Sequence, residues 1–135
     1  MQVFDAPTRE TCTVRRIRTN TALQAFVTLN DPVYVECAQA LARRIVREAP
    51  GDDAARARHG FRLATQRAAT DAEVDALVGL VASQRAHFAE HPEEAVQLAT
   101  DPLGPLADGD EPVELAAWSV AANVLLNLDE VLTKP

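Results

Sequence analysis

An all-α fold is predicted by three observations. Thr21-Ala-Leu-Gln24 and Thr70-Asp-Ala-Glu73 both have the spacing of a capping box, in which the Thr hydroxyl and the later Gln or Glu satisfy each other's backbone N–H groups. Apolar residues recur at three- and four-residue spacing in four runs. No stretch alternates apolar and polar residues as a half-buried strand would. The prediction is one bundle-like domain of five or six helices. An irregular arm, residues 1–20, packs on a central C-terminal helix, and residues 21–132 form the helical core.

The elements follow in order. From Phe4 to Thr21 the chain is polar, Arg-dense and non-periodic. A short helix begins at the Thr21 box and carries Leu23, Phe26 and Val27. Asn30-Asp31-Pro32 ends it and starts the next, with Asp31 as N-cap and Pro32 at the first helical position. That helix runs to about Arg47. Tyr34, Cys37, Ala38, Leu41 and Ile45 share its apolar face, and Glu36, Gln39, Arg43 and Arg47 its polar face. Pro50-Gly51 breaks the chain, and Asp52 or Asp53 caps a third helix reaching about Gln66. The Thr70 box opens a fourth, with Val74, Leu77, Val78, Val81 and Phe88 in a stripe, ending near Glu90. Pro92 starts a short helix over Glu93–Ala99. Pro and Gly residues make a loop from Asp101 to Glu111.

The last helix is predicted from about Pro112 to Leu132. It has two apolar rows, Leu115-Trp118-Ala122-Leu125 and Val120-Val124-Leu128-Val131. A helix apolar on most sides belongs at the centre. Ser119, Asn123, Asn127 and Glu130 make a narrow polar stripe along it, and buried polar groups need partners. The arm is the expected supplier: Arg15, Arg16 and Arg18 would pair with Asn123, Asn127, Asp129 and Glu130.

Length and composition bound the function. At 135 residues the chain has room for one core. Aromatic residues are only 4% of it, so the core is built from Leu, Val and Ala. The net charge of −7 repels nucleic-acid phosphate, and one Arg cluster does not make a binding face, so no nucleic-acid partner is expected. Residues 90–114 hold eight acids and no Lys or Arg, which reads as a solvated surface. The most apolar stretch, Leu115–Leu128, is too short and too interrupted for membrane insertion. Cys12 and Cys37 are too few for a disulfide framework, and their pairing stays open. No signal-peptide pattern stands in the chain. The loop-like start suggests a fragment, the C-terminal part of a larger protein.

Several blocks resemble a known family. Phe4-Asp-Ala-Pro7, Cys12-Thr-Val-Arg-Arg16, Arg18-Thr-Asn-Thr21, Leu23-Gln-Ala25, Leu29-Asn-Asp-Pro32 and Leu125-Leu-Asn-Leu-Asp-Glu-Val-Leu-Thr133 are similar to the C-terminal PSD-one domain of planctomycete-type cytochrome c proteins. Ala22 stands where the family usually has Pro, and Ala is equally suited to a first helical position. The resemblance implies an extracytoplasmic setting and a large exported multidomain parent. Haem belongs to another domain of that parent, and no cofactor is expected in this chain. The partners implied are the parent's other domains. It carries no activity, and it implies that an N-terminal portion of the family domain is missing.

Two motifs carry sharper chemistry. His87-Phe-Ala-Glu-His91 matches an inverted zinc-peptidase pattern. It falls at a helix end before Pro92 with no evident third ligand, so no metal site is expected. Arg15, Arg16, Arg18 and Asn20 are the candidate ligand-binding residues, because guanidinium groups take carboxylates, sulfates and phosphates through two hydrogen bonds. Internal pairing is the favoured role for these arginines. Lowered thiol pKa at Cys12 beside Arg15 is a minority reading, and His59 reads as a helix-surface residue. The leading expectation is a non-catalytic structural or interaction module. The alternative is part of an enzyme or binding site for a carbohydrate or other anionic ligand, built on Arg18-Thr-Asn-Thr21.

Overall fold

Residues 31–132 are described by the structure, a computed structural model. Six helices and no strand stand among them: α1 (Pro32–Glu48), α2 (Asp53–Thr65), α3 (Asp71–Glu90), α4 (Pro92–Thr100), α5 (Pro112–Leu126) and α6 (Asp129–Leu132). The arm and the helix expected at Thr21 lie outside the described residues.

The helix starts follow their local chemistry. Asp31 Oδ1 accepts from the Val33 N–H at 2.9 Å, with Pro32 at the first position of α1. Asp52 caps α2 by accepting from the Ala55 N–H at 2.7 Å, so Asp53 is its first residue and not its cap. The capping box of α3 is complete: the Glu73 N–H donates to Thr70 Oγ1 at 3.3 Å, and the Thr70 N–H to Glu73 Oε2 at 2.7 Å. These bonds satisfy donors that the first turn of a helix otherwise leaves open. Gln66 stops α2 in the left-handed conformation, φ 61°.

One predicted helix is two. The run expected from Pro112 to Leu132 ends at Leu126 and restarts at Asp129. Asn127 explains the break. Its backbone N–H is shared between the Asn123 and Val124 carbonyls at 3.1 Å, and its side-chain amide donates to Asn123 O and Oδ1, both at 2.9 Å. The Leu128 N–H then reaches only to Leu125 O. An Asn that bonds nearby backbone competes with the regular ladder. Apolar periodicity continued through the break, so periodicity alone could not find it.

The core forms around α5. Leu115, Ala116, Ala117, Trp118, Ala121, Ala122 and Leu125 are buried, and α1, α3 and α4 all pack against this helix. Small Ala side chains let the neighbours come close. Gly60 does the same for α2: a Cβ there would stand 2.9 Å from Ile45 Cδ1 and 3.0 Å from Leu125 Cδ1. The Trp118 row is buried as predicted. In the second row Val120, Leu128 and Val131 are only partly buried, and Val124 is exposed.

The buried face of α1 differs from its helical-wheel reading. Ala38, Gln39, Ala42 and Ile45 point inward, and Cys37 is exposed. The wheel placed Gln39 with the solvent-facing residues because it is polar. Its amide faces inward because backbone partners 59 and more residues away satisfy it.

Candidate functional site

Three polar assemblies stand at the edges of this core. The first is built around Glu114, in the first turn of α5. Arg85 Nε donates to Glu114 Oε2 at 2.7 Å and Arg85 Nη2 to Oε1 at 3.0 Å. The same guanidinium reaches both oxygens of Asp53, at 3.0 Å each. Arg56 Nη1 also donates to Glu114 Oε1, and so does Trp118 Nε1, at 3.1 Å. All four carboxylate oxygens therefore accept a hydrogen bond, and two acids face two arginines. The cluster joins the first turn of α2, the later part of α3 and the start of α5. Its hydrogen bonds to Asp53, then those to Glu114, raise the Arg85 pKa above its ordinary value. By composition Glu114 belongs with the acids of residues 90–114, which read as a solvated surface. Its side chain is only 21% exposed, because Arg56 and Arg85 hold it against Trp118.

The second assembly joins side chains to backbone. Gln39, 1% exposed, donates through Nε2 to the carbonyls of Leu98 and Asp101, and its Oε1 accepts from the Leu103 N–H at 3.0 Å. Arg43 Nη2 donates to Ala99 O at 2.9 Å and Gly104 O at 2.6 Å. Arg43 Nε is buried and has no hydrogen-bond partner among the described residues. One face of α1 thus holds the end of α4 and the start of the loop after it. These carbonyls have no further turn of helix to bond, so the side chains take the place of a C-terminal cap.

The third assembly is a fork at Arg67, between α2 and α3. Its guanidinium donates to both oxygens of Glu73 and both oxygens of Glu130, the latter at 2.9 and 2.7 Å. It also stands 5.7 Å from the centre of the Phe61 ring. The Glu73 carboxyl is pulled down to about 2, first by Arg67 and then by the Thr70 N–H. Arg67 likewise lowers Glu130. Glu73 was legible as a capping residue, but not its second duty on Arg67.

The remaining candidates are placed as follows. Arg15, Arg16, Arg18, Asn20 and Cys12 lie outside the described residues. Asn123 and Asn127 bond each other, Glu130 is held by Arg67, and Asp129 is engaged as well. The His87 and His91 rings stand 4.7 Å apart, and His87 Nε2 is 3.5 Å from Glu94 Oε2. Among the described residues no three His, Cys, Asp or Glu side chains gather so as to hold a metal ion. His59, partly buried, meets Glu48 at 3.0 Å. No helix among the described residues is long and apolar enough to cross a membrane.

The family model PSD1, described as a protein of unknown function (DUF1553), matches residues 1–81. This chain belongs to the PSD1 family. No curated protein and no solved structure matches it. The PSD1 match takes in α1, α2 and the first half of α3, and residues before them. It includes Gln39, Arg43, Asp53, Arg56, Arg67 and Glu73. Their partners Arg85, Glu114 and Glu130 lie beyond it, as does the Leu125–Thr133 block of the initial resemblance.

Proposed function

We propose that this PSD1 chain is a non-catalytic structural or interaction module of a larger exported, cytochrome-linked protein. The observation that carries this reading is the closed set Arg85–Asp53–Glu114–Arg56. Acid–base or nucleophilic work needs a side chain within hydrogen-bond reach of a substrate. Here the carboxylates accept from arginines and a tryptophan, and the effect is to lock three helices together. The Gln39–Arg43 and Arg67 assemblies do the same for other junctions. In this reading haem sits in another domain of the parent, the setting is extracytoplasmic, and the partners are the parent's other domains.

The test is a titration of the isotope-labelled chain with the rest of its parent protein, followed by amide chemical shifts. Saturable shifts confined to surface residues are expected. A second arm addresses the alternative, an anionic or carbohydrate ligand on Arg15, Arg16, Arg18 and Asn20. A panel of uronic acids and sulfated sugars is screened by thermal melting, since a ligand bound only by the folded state raises the melting temperature. A rise lost in Arg18→Ala, in a variant that melts like the parent without ligand, would replace the module reading. Severe destabilisation by Arg15→Ala, Arg16→Ala or Arg18→Ala without ligand would support internal pairing of the arm.

A further inference from the structure

We infer that α6 is a latch that opens separately from the bundle, with Asn127 as its hinge and Arg67 as its catch. Three observations place it. First, the helical ladder is interrupted at Asn127, so α6 is not carried rigidly by α5: the Asn127 and Leu128 N–H groups bond at i−3 as well as or instead of i−4. Second, α6 has four residues and none is buried. Among the described residues its ladder includes the Val131 and Leu132 N–H groups on Leu128 O, at 2.9 and 3.1 Å. So short a helix is not stable alone, because nucleation costs more than one turn returns. Third, Arg67 ties α6 to the α2–α3 corner through a pair of bonds to Glu130, with both side chains about 40% exposed. Asp129 is engaged as well.

The catch is asymmetric. Arg67 and Glu73 are six residues apart and belong to one corner, where Thr70 also holds Glu73. Glu130 comes from 63 residues away. Release of Glu130 therefore leaves the α2–α3 corner whole, with Arg67 still forked on Glu73. Leu126 and Leu128, which pack against the core beside the hinge, become more accessible when α6 swings out.

Hydrogen exchange of the full chain tests this. The Val131 and Leu132 amides are expected to exchange well before those of Ala121 and Ala122 in α5, because local opening needs less free energy than global unfolding. Glu130→Gln should speed the two α6 amides by about two- to fivefold, the range for one exposed ion pair, with α5 exchange and the thermal midpoint nearly unchanged. About 1 M NaCl should have the same effect on the parent chain and little on the variant. Arg67→Ala should loosen α6 and also expose the Thr70–Glu73 corner. Equal protection of α6 and α5 would overturn the latch. Unchanged α6 exchange in Glu130→Gln would overturn Arg67 as its catch.

Discussion

The Glu114 cluster and the Gln39–Arg43 clasp both join distant segments through polar side chains, by different physics. In the first, charge meets charge: Arg85 and Arg56 neutralise Asp53 and Glu114 at a partly wet edge. In the second, a buried neutral amide and one guanidinium meet carbonyls and an N–H that a helix end and a loop leave unpaired. Ion pairs with solvent access stabilise modestly and depend on salt. A buried backbone group without a partner costs its full desolvation, whatever the salt. The lesson is that the uncharged Gln39 should matter more to this fold than the more heavily bonded arginines.

The largest expected effect tests that ranking. Gln39→Leu keeps side-chain size but strips partners from Leu98, Asp101 and Leu103, and should cost about 3 kcal/mol in urea unfolding. The 101–111 loop should also become the first site of limited proteolysis. A loss well below that of the next variant would reverse the comparison.

Glu114→Ala comes second. It leaves Arg56 and Arg85 sharing Asp53 and removes the acceptor of Trp118 Nε1. Partial exposure reduces the penalty of a fully buried pair to about 2 kcal/mol. Trp118 fluorescence should shift as its indole N–H loses its acceptor.

Salt sharpens the contrast. The gap between parent and Glu114→Ala should narrow on going from low salt to about 1 M NaCl, while the gap for Gln39→Leu stays constant. Parallel salt dependence in the two variants would mean that the clasp is electrostatic too.

The smallest effect is the acid limb at the third junction. Glu73 falls from an ordinary 4.5 to about 2, so its contribution is fully present above 4.5 and lost as pH falls toward 2. Glu130, also lowered, acts in the same direction. Stability should therefore decline over that window, with a shallower slope in Glu73→Gln, as checked by urea midpoints across pH.

Local signals settled much of this molecule. Asp31-Pro32, the Asp52-Asp53 pair and the Thr70–Glu73 box mark three helix starts through bonds within three residues, so they are legible in the chain itself, and the structure assigns the second cap to Asp52. The Trp118 row of α5 was legible for the same reason, since burial of one helix face follows its spacing. Tertiary structure alone decided what Gln39, Arg43, Arg85 and Glu114 do. Apart from Trp118, four residues from Glu114, their partners lie 29 to 64 residues away, and a polar residue on a helical wheel looks solvent-facing until a distant group is found to satisfy it. It also decided that the last helix breaks, because the bonds of Asn127 compete with a ladder whose apolar pattern continues past it. Caps and stripes are short-range and can be read along the chain; the pairing of buried polar groups is long-range, and only folding assigns it.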